Sequence, residues 1–203
     1  MNLSVSEMPS ALAYQLLTQV IVPRPVAWVL TQNGQAQVNL APFSYFAPVS
    51  SNPPLLMFSA GNRRDGSPKD TVLNIKETQR FVVHIANTSH ADAMSLTAKE
   101  CPHGESEAEL AGLDLVPFEG FALPRVEGVP VALGCELFQL DELGDTPQNV
   151  IYGKVVSAWL DDSLCTESNN PKHFADAKAL DPISRLGGDW YAQLGEFIHS
   201  PRA

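Results

Sequence analysis

The stretch that decides the fold is Pro23–Ser59, which reads PRPVAWVLTQNGQAQVNLAPFSYFAPVSSNPPLLMFS. Two apolar runs, Val26–Thr31 and Ala36–Phe46, lie on either side of a polar break. The break contains Asn33 and Gly34, a pair that accepts the positive φ angles of a tight hairpin turn. The stretch therefore predicts a β-hairpin whose arms are these two runs.

The second arm of this hairpin has an unusual mixture of side chains. Asn39, Ser44 and Tyr45 place polar groups among its apolar residues, and Pro42 lacks the backbone N–H that a central strand would use. The arm is therefore predicted to be an edge strand or a bulge, and bulges often lie beside binding sites. An irregular edge strand without any ligand would show the same residues.

Apolar runs and helical spacing predict the remaining elements. Many strands with few helices and no strand–helix alternation favour a β-barrel with peripheral helices. The helix candidate Met8–Val20 is expected to cover one end of this barrel, and the acidic stretch Ala91–Gly128 is expected to be an excursion between strands. The other candidates are strands at Pro54–Ser59, Phe81–Ala86, Val129–Leu140 and Asn149–Leu160, and helices at Pro68–Thr78, Ala91–Lys99, Glu105–Gly112 and Pro171–Ala179.

Length and charge argue against several classes of protein. With 203 residues, the chain is expected to form a single domain, 1–203. Its net charge of −10 argues against nucleic acid or an anionic membrane as a partner. It has no apolar run of the roughly 20 residues that span a bilayer, and its N-terminus lacks the basic start and apolar core of a signal peptide. A cytoplasmic location is therefore expected.

The helix candidate that begins at Pro68 has the chemistry of an anion site. Ser67 is a favourable N-cap residue, Pro68 fits the first helical position, and Asp70 follows three residues after the cap. A helix N-terminus offers backbone N–H groups and a partial positive charge. Lys69 would add a full charge and Thr71 a hydroxyl donor, so this segment predicts a phosphate site. An ordinary capped helix with a solvated basic face is the alternative.

The sequence contains no motif for a metal, a dinucleotide or a catalytic nucleophile. Cys101, Cys135 and Cys165 form no CxxC pair, which argues against a zinc site and a disulfide framework. GxGxxG and P-loop patterns are absent, so no Rossmann NAD site is expected. His84, in the strand candidate Phe81–Ala86, and Cys135 are expected to be packed side chains. No catalytic residue and no metal ligand is therefore assigned, and redox chemistry would come from a bound cofactor.

Several segments, taken together, resemble one protein family. They are PRPVAWV at 23–29, NLAPFSYF at 39–46, SSNPPLLMFS at 50–59 and KDT at 69–71, and ISRLGGDWY at 183–191 resembles the closing motif. This pattern is similar to the flavin reductase-like family of FMN-binding split barrels. The resemblance implies a mainly β (α+β) fold, namely a six-stranded Greek-key split β-barrel with peripheral helices. It also implies a homodimer that holds FMN in a groove near the subunit interface.

The resemblance further implies which residues bind FMN. Lys69 and Thr71 are expected at the phosphate, and Arg185 at the phosphate or the ring. Trp28, Tyr45 and Phe46 are expected beside the ring. Two alternatives stay open, because each aromatic can be a core residue and Arg185 can be an exposed residue of a glycine turn. The complete set of expected FMN-binding residues is Arg24, Trp28, Thr31, Asn39, Ala41, Pro42, Ser44, Tyr45, Ser59, Lys69, Asp70, Thr71, Asn74 and Arg185.

The function that the resemblance implies is an FMN-dependent oxidoreductase that reduces flavin with NAD(P)H. The first alternative is a flavoredoxin-like electron carrier that works with a redox partner protein. The second is a flavin- or haem-binding sensor or storage protein without turnover, because fold alone does not decide function. The aromatic and proline-rich stretch Ala41–Pro54 is expected to form part of the homodimer contact.

Overall fold

The computed structural model describes residues 1–102, 105–145, 147–165 and 175–201. Its helices are α1 (Ser10–Val20), α2 (Asp70–Thr78), α3 (Ala91–Leu96), α4 (Glu107–Leu110) and α5 (Ala177–Leu180). Its strands are β1 (Arg24–Pro25), β2 (Ala27–Gln32), β3 (Val38–Phe43), β4 (Phe46–Ser51), β5 (Pro54–Gly61), β6 (Arg80–Ile85), β7 (Leu115–Val116), β8 (Arg125–Val126), β9 (Val131–Leu143), β10 (Gln148–Leu160), β11 (Ser184–Arg185) and β12 (Tyr191–Ala192).

One antiparallel sheet dominates the fold, with the strand order β3-β2-β6-β9-β10-β5-β4. Its two edge strands, β3 and β4, are consecutive in the chain and are joined only by Ser44 and Tyr45. So short a connection forces the two edges of the sheet to meet, and the sheet therefore curls into a barrel. At this junction the Ser59 N–H donates to the Tyr45 carbonyl over 2.9 Å.

The sheet has seven strands, whereas six were expected. The additional strand is β4, which the residue pattern does not predict because most of its side chains are exposed and it contains Pro48 and two serines. The ladder between β4 and β5 shifts register between Pro48 and Ser50. The predicted edge strand is confirmed in β3, which pairs with β2 in regular register, and the register shift lies beyond the predicted arm, in β4.

The hairpin is confirmed, but its turn differs from the predicted one. Strands β2 and β3 pair from Gln32 and Val38 onwards, which leaves a loop of residues 33–37. The left-handed residue is Ala36, with φ of 64°, and neither Asn33 nor Gly34 has a positive φ. The Asn33 side chain forms the turn, because its oxygen accepts from the backbone N–H groups of Gln35 and Gln37 at 3.0 and 2.9 Å.

Two layers of apolar side chains bury both faces of the central strands. In β2, Trp28 and Leu30 contribute to one layer, and Ala27 and Val29 contribute to the other. This alternation is the two-residue period of a strand that is covered on both sides. The second layer also contains Cys135, which confirms the prediction that this cysteine packs in the core.

The expected excursion between strands covers the outer layer of the sheet. Met94, Phe118 and Val126 from this segment pack against the layer that contains Trp28. His84 lies in the same region and is fully buried, which confirms that it is a packed side chain. Its Nδ1 bonds to the Trp28 carbonyl over 3.0 Å, and its Nε2 accepts from the Val126 N–H over 3.0 Å.

The predicted N-terminal helix is confirmed as α1, but it does not cover an end of the barrel. Thr18 is its only buried residue, and Leu12, Tyr14 and Leu17 are exposed. The helix candidate Pro171–Ala179 lies partly outside the described residues, and α5 begins at Ala177. In the part of the chain that the structure describes, no helix combines the length and the apolar character needed to cross a membrane.

Candidate functional site

Helix α2 begins with Lys69 at its N-cap, two residues later than predicted. Ser67 does not cap the helix, because its N–H and its hydroxyl both donate to Asp65 Oδ1, at 2.9 and 2.6 Å. This local turn is the physical reason for the shift, since it occupies the side chain that was expected to cap. Lysine offers no side-chain acceptor to the first-turn N–H groups, and a bound anion can take that role.

A cavity of about 130 Å³ lies between the start of α2 and strand β3. Residues from the predicted FMN set line both walls, although the two segments lie some thirty residues apart in the chain. The cavity-lining residues that were predicted are Asn39, Ala41, Pro42, Lys69, Asp70 and Thr71. The structure therefore brings these six predicted residues together at one site.

Two buried amide–hydroxyl pairs hold α2 against the barrel. Asn39 Nδ2 donates to Thr71 Oγ1 over 2.9 Å, and Asn74 Nδ2 donates to Thr31 Oγ1 over 3.1 Å. Because the Thr71 oxygen accepts from Asn39, its own hydrogen remains available to a second acceptor. Thr31 and Asn74 do not line the cavity, and they position the helix that does.

The loop before α2 supplies a second cation to the cavity. Arg63 pairs with Asp70 at 2.8 Å and donates to the Cys101 carbonyl over 3.3 Å. Side-chain amides fix this loop, since Asn149 Nδ2 donates to Asn62 Oδ1 at 3.0 Å and Asn62 Nδ2 donates to the Gly66 carbonyl at 3.1 Å. Arg63 and Asp70 therefore occupy defined positions at the entrance to helix α2.

A carboxylate that was not predicted completes the cavity wall. Glu107 of α4 is 6% exposed, and its Oε2 accepts from the Leu40 N–H over 3.0 Å. Burial raises the pKa of Glu107, Asp70 raises it further, and the backbone N–H groups of Leu40 and Glu107 and the charge of Arg63 oppose the rise. The sequence gives no signal for this role, because the contact with β3 spans 67 residues.

Four further predicted residues gather at the connection between β3 and β4. Arg24 is buried, and its guanidinium donates to the carbonyls of Thr18, Ile21 and Leu186 at 2.5 to 2.8 Å. Its Nε also approaches Ser44 Oγ at 3.4 Å. These contacts tie the end of α1 to the barrel. The residues of this second group are Arg24, Ser44, Tyr45 and Ser59.

The remaining two predicted residues do not line the cavity. Trp28 is fully buried, and its Nε1 donates to Thr97 Oγ1 over 2.8 Å. Arg185 donates to the Gly188 carbonyl over 2.5 Å and stacks at 4.5 Å from the Tyr191 ring. The structure thus places Trp28 in the core and Arg185 in the glycine turn, the two alternatives that the sequence left open.

The cavity lining combines cations, carboxylates and a threonine hydroxyl. Arg63, Lys69 and Lys99 bring positive charge to its lining, and Asp70, Glu100 and Glu107 bring negative charge. In the described residues, no group of three or more side chains is arranged to hold a metal ion. Backbone N–H groups, a hydroxyl and cations suit recognition of a phosphate oxygen.

Comparisons with known proteins give a consistent result. A family model described as "Flavin reductase like domain" matches residues 20–176. An uncharacterized protein of Deinococcus radiodurans is 37% identical over 191 residues, which are 92% of this chain and 82% of that protein.

Solved structures agree with the sequence comparison. Nitrilotriacetate monooxygenase component B from Bacillus cereus superposes with a TM-score of 0.90 at 37% identity, covering 98% of each chain. A candidate flavin reductase with a split barrel domain from Shewanella frigidimarina superposes with a TM-score of 0.85 at 22% identity over the whole of both chains. The second likeness confirms the mainly β, split-barrel fold. Since the family model covers most of the chain and relatives match over nearly its full length, the protein belongs to the flavin reductase-like family and has a flavin-related redox function.

Proposed function

We propose that residues 1–203 form one FMN-binding domain, with the FMN phosphate in the cavity at the start of α2. The observation that carries this proposal is the convergence of residues 39–42 and 69–71 on that cavity. Lys69 would contact the phosphate with a full charge and Thr71 with its remaining hydroxyl hydrogen. Asn39 holds the Thr71 hydroxyl in place.

The size of the cavity fits one end of the cofactor. Its volume of about 130 Å³ is well below the roughly 300–1,000 Å³ of a complete ligand pocket. It therefore suits a phosphate with its adjoining chain, and the larger ring must lie outside it. Strand β3 leads from Asn39 in the cavity to Ser44 and Tyr45, which we propose as contacts farther along the cofactor.

The chain itself supplies binding and orientation. When bound, the isoalloxazine of FMN accepts and passes on electrons without a catalytic acid or base from the protein. The side chains of the cavity hold the anionic end, and the two amide–hydroxyl pairs fix helix α2 in position for it. We propose NAD(P)H as the electron donor, bound transiently at the flavin. The likeness to nitrilotriacetate monooxygenase component B supports an oxidoreductase role.

Reduction of the bound flavin tests this function directly. The purified chain is reconstituted with FMN, separated from free flavin and mixed anaerobically with NADH or with NADPH. We expect at least one nicotinamide to bleach the flavin absorption within seconds to minutes. If the chain retains FMN but neither nicotinamide reduces it, the reductase proposal fails and the electron-carrier alternative takes its place. If the chain retains no flavin at all, the cofactor proposal itself fails.

We also propose a homodimer, because the small cavity leaves the ring of FMN to be covered by another surface. Exposed apolar side chains occur on α1, on β4 and next to β12. On α1, Leu12 and Tyr14 are 50% and 61% exposed, and Trp190 is 74% exposed. Val49, in the stretch expected at the dimer contact, is also exposed. Large exposed apolar side chains of this kind support the proposed interface.

A further inference from the structure

Glu107 lies where an anionic ligand would meet a buried negative charge. It lines the same cavity as Lys69 and Thr71, and it is almost completely removed from solvent. Its Oε2 is held by the Leu40 N–H at 3.0 Å, so the side chain cannot turn away without breaking that bond. An incoming phosphate therefore shares the cavity with this carboxylate.

The charged groups that line the cavity balance one another before a phosphate arrives: Arg63, Lys69 and Lys99 are positive, and Asp70, Glu100 and Glu107 are negative. From the segment before α2, Arg63 faces the cavity but is paired with Asp70 at 2.8 Å. From the segment that precedes α4, Lys99 and Glu100 line the cavity with opposite charges, and Cys101 is not a cation.

The two remaining sides of Glu107 add no positive charge. Strand β3 contributes no ionisable side chain, and the neighbours of Glu107 on its own segment, Glu105 and Glu109, are acidic. Two close anions in a buried site cannot both remain fully charged at neutral pH.

We propose that Glu107 takes up one proton from solvent when a phosphate monoester binds in this cavity. The inference rests on the proposed FMN site and adds a proton to its binding equilibrium. An O–H bond forms on the Glu107 carboxylate as the O–H or N–H bond of a water molecule or buffer acid breaks, the conjugate base stays in solvent, and no other covalent bond changes. Oε2 keeps its bond to the Leu40 N–H, and the protonated oxygen becomes a donor to the phosphate.

The environment of Glu107 favours the protonated carboxyl group before any ligand arrives. Burial already raises the pKa of Glu107, and a phosphate would raise it further by like-charge repulsion. Because the bound state holds the extra proton more tightly, affinity for the phosphate ligand falls as pH rises. By reciprocity, one linked proton limits this fall to about tenfold per pH unit.

The decisive experiment measures FMN and riboflavin affinity by flavin fluorescence between about pH 7 and pH 8.5, where the phosphate itself is mostly a dianion. Three forms are compared: wild type, Glu107→Gln and Glu109→Gln. The last variant removes the same charge from the exposed face of the same helix. Glutamine at 107 can still accept from the Leu40 N–H, so the edge of β3 stays anchored.

The expected pattern separates the proton from other effects. FMN affinity of the wild type and of Glu109→Gln falls with rising pH by up to about tenfold per unit. Affinity of Glu107→Gln for FMN is independent of pH and exceeds that of the wild type at the upper end of the range. Riboflavin, which lacks the phosphate, binds every form without this pH dependence.

A second measurement on the wild type keeps the test valid if Glu107→Gln does not fold. Calorimetric binding enthalpies in two buffers of different ionisation enthalpy count the protons taken up, and we expect net uptake with FMN and none with riboflavin. A pH-independent FMN affinity or zero uptake in the wild type overturns the inference while leaving the FMN site intact. Unchanged pH dependence in Glu107→Gln also overturns it, because the proton then resides elsewhere. Failure to bind either flavin overturns the proposed function together with the inference.

Discussion

At the scale of single residues, Lys69 is the side chain on which the proposed phosphate site depends most. We expect Lys69→Ala to weaken FMN binding by roughly tenfold to hundredfold, since a charge-assisted contact contributes about 1.5–3 kcal/mol. Fluorescence titration with FMN measures this loss directly. Riboflavin affinity should hardly change, because the lost contact is to the phosphate.

Lys76→Ala is the matched control for this substitution. Lys76 lies in the last turn of the same helix and pairs with Glu142 at 3.3 Å on the surface. Lys76→Ala removes the same charge as Lys69→Ala, but at a position outside the cavity lining, so FMN affinity should stay near that of the wild type. If Lys69→Ala weakens FMN and riboflavin binding by the same factor, Lys69 supports the fold and does not recognise the phosphate.

His84 makes folding sensitive to mild acid. Burial lowers the pKa of His84 from 6.5 to about 4; the bond to the Trp28 carbonyl opposes this fall, and the charges of Arg125 and His90 add to it. The unfolded chain therefore binds a proton more readily than the folded chain between these two values. This contribution to the free energy of unfolding is on the order of 3 kcal/mol. It is fully present above about pH 6.5 and is lost as the pH falls towards 4.

Urea unfolding at neutral pH and near pH 4.5 tests this dependence. His84→Gln removes the titrating group, so its stability should fall less with acid than that of the wild type, even if it starts lower. Subtraction of the two curves cancels the contribution of the carboxylates. Parallel curves for the two proteins would show that His84 does not account for the acid sensitivity.

At the scale of elements, strand β10 depends on a glycine in the middle of the sheet. The ladder between β9 and β10 shifts register next to Gly153. An added Cβ there would lie 2.3 Å from Cζ of the fully buried Phe81 and 3.3 Å from Cβ of Cys135. We expect Gly153→Ala to destabilise the fold by about 1–3 kcal/mol through overpacking, as measured by urea unfolding.

Gly195 offers a control for this substitution. No atom lies within 4 Å of the Cβ that Gly195→Ala would add. Its free energy of unfolding should therefore stay close to that of the wild type. Equal stability of the two variants would mean that Phe81 moves aside without cost, and the packing argument for β10 would be wrong.

The elements that the sequence predicted best are those with apolar residues on both faces. The run Val26–Thr31 became β2, and the run Phe81–Ala86 became β6 with a shift of one residue. Strand β4 was missed because an exposed edge strand needs no apolar side chains, and its pairing with β5 comes from the meeting of the two sheet edges. Exposed pairing of this kind leaves no local hydrophobic period to detect.

The site was predictable where a short motif carries its chemistry. Asn39, Lys69 and Thr71 belong to such motifs, and they line one cavity. Glu107 and Arg24 act through distant backbone groups, on β3 and in the 186–188 turn, so only the folded chain shows their roles. The expected role of Arg24 at the cofactor stays a prediction, although its guanidinium already donates hydrogen bonds to three backbone carbonyls.

At the scale of the whole molecule, the exposed apolar face of α1 predicts self-association. We expect sedimentation velocity to show a homodimer at micromolar concentration. Leu17→Asp should shift the equilibrium towards monomer, because it places a charge among exposed apolar side chains of the proposed interface. Gln15→Asp changes an exposed polar residue of the same helix and should leave the dimer intact. A flavin-loaded monomer at that concentration would contradict the proposed assembly.

The joining of the two edge strands through Ser44 and Tyr45 also bears on aggregation. A long exposed edge offers unpaired N–H and C=O groups to strands of other molecules, the first step of an amyloid-like ladder. Here each edge strand contains a proline, Pro42 in β3 and Pro48 in β4. Each proline lacks the backbone N–H that a strand of another molecule would pair with. The Leu40 N–H of β3 is already engaged by a carboxylate. The connection that shapes the barrel therefore also protects the folded chain against fibril formation.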